Sequence, residues 1–266
     1  MSTKTASTKT HETAPTRSVK ASGVRFAYHR FGGGENQMDA IAELADRLTG
    51  LLMLANPPVA VSFRTSIPSV DAEAVVRQPA GCCYWARAQD GRLDTQSSDH
   101  TNCSVGSYTH GLIDLETAAA GDDTATLLSS GWVGESDLAN APHLPFRPEI
   151  IRYEPLAEAD QPDVVLMRLT SRALMTLQGA FPQIRLVTKP QCQIVPLAYA
   201  GQIVVSPGCA VSRARTGLPA GELTCAFPGS ALPEIVGRLE SSDATDHVVA
   251  EYAVANDREL PPADRN

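Results

Sequence analysis

Apolar residues recur along the chain with two different periods. From Met38 to Ala55 they fall at Ile41, Leu44, Ala45, Leu48, Leu52 and Ala55, the spacing of a helix with one buried face. Asn56, Pro57 and Pro58 end that pattern, and the β-branched run Val59 to Phe63 then predicts a short strand. A second helix is expected over Cys82 to Ala88, and a third from about Asn102 to Ile113. Leu115 to Leu128 continues as helix after a break, and "GWVGESDLANAPHLPFRP" reads as loop. The second half is more regular. Strands are expected at Asp163 to Leu169, Gln202 to Ser206 and Glu222 to Phe227. Helices are expected at Arg172 to Ala180, capped by Thr170 or Ser171, from Pro207 onward, and at Ser230 to Glu240 with Ser230 as N-cap. Strands alternating with helices give an α/β chain, a mixed sheet with flanking helices.

Residues 1–37 break the pattern. They are rich in Ser, Thr and Lys, carry no apolar period, and are expected to form a disordered N-terminal extension. Their composition faintly resembles an organellar transit peptide but lacks a secretory apolar region. Residues 38–266 are then expected to be a single α/β domain.

Charge and composition narrow the function classes. The chain has 266 residues, 43% of them hydrophobic, enough for a well-buried core. Its formal net charge is -8 with few aromatics, which argues against a nucleic-acid partner. No apolar run approaches the roughly 20 residues that span a bilayer, so no membrane partner is expected. "FGGGENQ" (Phe31 to Gln37) has glycines but neither a preceding strand pattern nor a Walker lysine. There is no G-x-S-x-G elbow and no H-E-x-x-H helix. Six cysteines, Cys82, Cys83, Cys103, Cys192, Cys209 and Cys225, are scattered without a secretion signal, favouring reduced thiols in the cytoplasm.

What precedes the cysteines adds candidate chemistry. "QPAGC", "HTNC", "KPQC" and "SPGC" each set a helix-starting residue just before Cys82, Cys103, Cys192 and Cys209. In a first turn, free N–H groups and the positive end of the dipole favour a thiolate. Four such thiolates are the usual complement of an iron–sulfur cluster. A plainer account stands beside this one: free cysteine is a small, buried hydrophobe, and no pair has C-x-x-C spacing. Cys225 alternates with Leu223 and Phe227 and reads as core, and Cys83 as packing.

In "SDHTNCSVGSYTHGL", a helix capped by Asn102 would put Cys103, Gly106, Ser107 and His110 on one face. Gly106 would give clearance and His110 a proton donor or ligand above the thiol. Cys209 and Arg213 are spaced i, i+4, so the guanidinium could lie over that thiolate.

The segments "NPPVAVSF", "CCYWARAQDG", "DHTNCSVGSYTHGL" and "GQIVVSPGCAVSRARTGLPAGELTCAFPGSALPEIVGRLE" resemble domain-of-unknown-function family 169, widespread in bacteria and archaea. The resemblance covers most of the chain from Met38 onward. It implies one folded unit and marks a set of cysteine motifs, Cys103 and Cys209 in the most recognisable ones. It implies no reaction.

The expected function is that of a cytoplasmic cysteine-rich protein. It would hold an iron–sulfur cluster or metal on Cys82, Cys103, Cys192 and Cys209 and perform redox or lyase chemistry on a small anionic substrate, with His110 and Arg213 nearby. The alternatives are a metal-free thiol enzyme, with Cys103 or Cys209 as nucleophile and His110 as base, and a non-catalytic module binding a small ligand.

Overall fold

The computed structural model describes residues 35–64, 88, 91–96, 103–187, 189–209, 213 and 218–242. The expectation of disorder over residues 1–34 lies outside them, as does the helix expected at Cys82 to Ala88, apart from Ala88 itself.

One seven-stranded sheet organises the chain, in the order β2-β3-β1-β4-β7-β6-β5. Its strands are β1 (Val59–Arg64), β2 (Leu93–Gln96), β3 (Ile150–Pro155), β4 (Val164–Thr170), β5 (Arg185–Leu186), β6 (Val204–Ser206) and β7 (Glu222–Pro228). Every pairing is antiparallel except β5 with β6, so the sheet is mixed, as expected.

Both faces of the central strands are buried, which explains apolar runs without polar alternation. Val165, Met167 and Leu169 of β4, with Cys225 and Phe227 of β7, face a core built with Ile41, Leu48, Leu177, Ile235 and Leu239. Those five come from α1 (Glu35–Leu52), α6 (Ser171–Ala180) and the helix α8 over 232–242. Val164, Leu166 and Ala226 face the opposite side, against Ile194, Val195, Leu197 and Ala198 of α7 (Ile194–Tyr199). Beyond α7 lie four short helices, α2 (Ser104–Thr109), α3 (Leu115–Ala119), α4 (Asp122–Ser129) and α5 (Glu135–Ala139). They share a small apolar cluster that includes Cys103, Tyr108, Leu138 and Cys192.

Several elements depart from the sequence pattern. α1 begins at Glu35 rather than Met38, and Gln37 Nε2 donates to the Asp160 carbonyl at 2.7 Å, giving the polar first turn a partner. α2 is shorter than expected. It stops at His110 because Gly111 takes a left-handed φ of 72°. Gly121 separates α3 from α4, and α5 sits inside the stretch expected to be loop. Residues 207–209 are not helical, so the helix expected from Pro207 starts later; the Arg213 N–H bonds the Cys209 carbonyl at 2.9 Å. Ser230 lies in a 3-10 turn, Gly229–Ala231, rather than capping α8. α6 is capped by Thr170, whose hydroxyl accepts from Ala173 N–H at 3.2 Å.

Candidate functional site

The cysteines expected at helix starts can be placed one by one. Cys103 is buried and occupies the N-cap of α2, just before the first turn. Cys192 lies in a 3-10 turn, Gln191–Gln193, that leads into α7 and follows the cis Lys189–Pro190 bond. Cys209 is half-buried after β6, its carbonyl receiving the helical bond from Arg213. Cys225 is a core residue, as expected. Among the described residues, no disulfide joins any of the four. Cys82 and Cys83 lie outside the described residues.

Two other thiols lie within electrostatic reach of Cys192. Burial pushes the Cys192 thiol well up, and the neighbouring Cys103 raises it further; a hydrogen bond with the Thr109 side chain pulls the other way, and Cys209 raises it again. Charges on Cys103 and Cys209 are thus felt at Cys192, although the three residues belong to different elements. Among the described residues, no three His, Cys, Asp or Glu side chains are grouped to hold a metal ion.

Residues that the sequence did not single out position this cluster. The Asp123 carboxylate, at the start of α4, accepts the Ser104 N–H at 2.8 Å and the Ser104 hydroxyl at 2.7 Å. It also accepts from the Cys103 side chain. Burial raises the Asp123 pKa, but those bonds and one from the Thr124 N–H outweigh it and hold the carboxyl below its ordinary range. Asp123 therefore caps a helix other than its own. Gly121 leaves the necessary room, since a Cβ there would lie 2.2 Å from Ser104 Oγ.

Gln191 does the same for Cys209. Its side chain is 1% exposed. Its Oε1 accepts the Cys209 N–H at 2.7 Å, and its Nε2 donates to Thr224 Oγ1 at 3.2 Å. The amide thus ties the Cys209 backbone to β7 and to the residue beside Cys192. No sequence spacing reveals such bonds across elements. The only trace was a polar Gln between Pro190 and Cys192, and a Gly–Asp pair before α4.

His110 is fully buried at the end of α2. Its Nδ1 lies 2.7 Å from the Gly106 carbonyl, an acceptor only, so Nδ1 carries the proton and Nε2 is a bare acceptor. Burial lowers its pKa to about 4, with the Gly106 bond opposing, so the ring is neutral near pH 7. Nε2 has no hydrogen-bond partner among the described residues. Thr109 Oγ1, which bonds Cys192, lies 3.3 Å from His110 Nδ1. Arg213 is committed to its own loop: its guanidinium donates to the carbonyls of Pro219 at 3.0 Å, Glu222 at 3.1 Å, Leu218 and Pro207. It braces the segment that carries Cys209.

A model of domain-of-unknown-function family 169 (DUF169), described as "Uncharacterised ArCR", matches residues 47–238, well over half of the chain. No curated protein and no solved structure matches it.

Proposed function

The chain belongs to domain-of-unknown-function family 169, and from that footing we propose that it is a cytoplasmic thiol-site protein holding an iron–sulfur cluster or a thiophilic metal ion. Cys103, Cys192 and Cys209 are the ligands on the described side, with Cys82 as the fourth. One observation supports this reading: Cys103 at the start of α2 and Cys209 after β6 each lie within electrostatic reach of Cys192 in the turn before α7, so drawing the three onto a soft cation requires them to close further than they stand. Buried thiolates repel each other and lack water, so their ionisation is costly alone. A soft cation offsets that cost, and thiolates are the donors that iron–sulfur clusters, copper(I) and zinc take. The bound group would supply redox or Lewis-acid chemistry toward a small anionic substrate. The protein's own part is to exclude water, to fix the ligands through Asp123, Gln191 and Arg213, and to offer His110 as a neutral base. Among the described residues, no helix is long and apolar enough to cross a membrane.

Anaerobic purification tests the proposal. The expected outcome is broad visible absorbance with bound iron and acid-labile sulfide, or stoichiometric zinc or copper. Serine at Cys82, Cys103, Cys192 or Cys209 should reduce the bound metal, and serine at Cys225 should not. Colourless, metal-free protein overturns it. A metal-free thiol enzyme is the second reading, favoured by the partial exposure of Cys209. It expects alkylation of one cysteine to outpace the others by about tenfold or more near neutral pH.

A further inference from the structure

An open cavity of about 510 Å³ lies where α2 ends, lined in part by Tyr108, which also packs in the cluster that holds Cys103 and Cys192. Its volume falls in the range of small-molecule sites, roughly 300–1,000 Å³. One wall is the turn after α2, and the other is the proline-braced loop from His143 to Arg147. The two walls are fixed to each other. The Leu144 N–H bonds the Thr109 carbonyl at 2.9 Å, and a Cβ at Gly111 would lie 2.3 Å from the Phe146 carbonyl oxygen. Phe146 is further held edge-on by Phe63, with ring centroids 5.7 Å apart, and by Tyr199 at 5.4 Å. The loop thus presents exposed side chains from a rigid mount, an arrangement typical of binding loops.

The lining combines aromatic surface with uncommitted positive charge. Tyr108 and His143 lie at 5.2 Å with their rings tilted by 31°, and the Tyr108 hydroxyl is 3.4 Å from His143 Nδ1. Arg147 is exposed and has no hydrogen-bond or ion-pair partner among the described residues. The acid on the rim, Asp114, spends its carboxylate on the Thr117 N–H at 2.7 Å as the cap of α3. Asp114 stays ionised as it caps α3, so the rim carries one charge of each sign, and Arg147 supplies the cation that has no partner among the described residues, beside apolar surface from Leu112, Leu115 and Phe146.

We propose that this cavity binds a small aromatic anion, a ring bearing one carboxylate or phosphate. The anionic group pairs with Arg147, and the ring packs against Tyr108, His143 and Phe146. The site's role as the substrate side of the thiol centre rests on the proposed function above, because Tyr108 packs in the same cluster as Cys103 and Cys192. Binding itself needs no metal.

Calorimetric titration of the full chain as purified, its metal content assayed, with benzoate, phenyl phosphate, benzamide and acetate tests it. Saturable binding is expected for benzoate or phenyl phosphate, with neutral benzamide and ringless acetate each weaker by about tenfold or more. Arg147→Ala, an exposed change that leaves the fold in place, should weaken the anion by about tenfold, with Arg147→Lys restoring part of the loss. Met175→Ala, an exposed change on α6, should leave the affinity within about twofold. No saturable binding of either aromatic anion overturns the proposal, as does an Arg147→Ala chain that binds as well as the parent. A protein that binds the anion but no metal overturns the thiol-centre reading and leaves the cavity standing.

Discussion

Asp123 and Arg213 set the thiol site without contributing a sulfur to it. Asp123 takes the first free N–H of a neighbouring helix along with the Ser104 hydroxyl. Asp123→Ala should lower stability by about 1–2 kcal/mol, the scale of a lost N-cap, measured by urea denaturation. Asp123→Asn, which keeps an acceptor, should lose less. Arg213→Ala removes several bonds that brace the segment from Pro207 to Glu222. It should cost about 1–3 kcal/mol and raise proteolysis between those residues, with Arg213→Lys recovering little because its ammonium cannot span the same carbonyls. Individual cysteines were legible in the sequence because Pro190, Asn102 and the "SPG" before Cys209 mark local starts. Their convergence was not, since it depends on α2 meeting the turn before α7. Nor was the bracing role of Arg213, since i, i+4 spacing says nothing of the carbonyls that return from β7.

Among the elements, β3 carries a polar edge with its own consequence. Arg152 pairs directly opposite Asp94 of β2, and its Nε donates to Asp94 Oδ1 at 2.9 Å; Arg92 donates to the same carboxylate at 2.8 Å. Burial raises the Asp94 pKa, but the two arginines outweigh it and hold the carboxyl below its ordinary range. Glu154, two residues along β3 and 6% exposed, has no such pairing among the described residues. Burial lifts its pKa to about 7; Arg152, Arg92 and Arg64 pull it down in part, and Asp160 pushes it up. The folded chain therefore holds a proton that the unfolded chain, with a carboxyl near 4.5, has released, so stability falls as pH rises from about 4.5 to 7. Discounted for screening, Glu154→Gln should gain about 2 kcal/mol over the parent near pH 8 and little near pH 5, read from denaturant midpoints. The same edge shows which elements the pattern reveals. α1, α6, β1, β4 and β7 were readable from long periodic runs. β2 is four residues long with Leu93 its one apolar residue, and its place comes from the Asp94–Arg152 pair. α7 is apolar on nearly every side and contains Pro196, so no helical stripe marks it; burial between the sheet and the short helices makes it helical.

At the scale of the molecule, the sheet separates two kinds of environment. One face carries the larger apolar core under α1, α6 and α8, and the other carries α7 and the short helices that hold the thiols. On the proposed function, metal added to the second face should stabilise the whole chain by linkage, and a chelator should lower Tm in proportion to any metal removed, followed by calorimetry. Cys225→Ala, on the first face, should lower Tm while leaving metal content unchanged. The α7 connection also sets how the thiols are joined along the chain. Parallel β5 and β6 cannot be linked by a tight hairpin, so the chain between them crosses over through the turn bearing Cys192 and through α7. Cys192 and Cys209 therefore belong to one local crossover, whereas Cys103 reaches them from a distant part of the chain, and a change in the loops that lead to α2 would shift one thiol against a fixed pair.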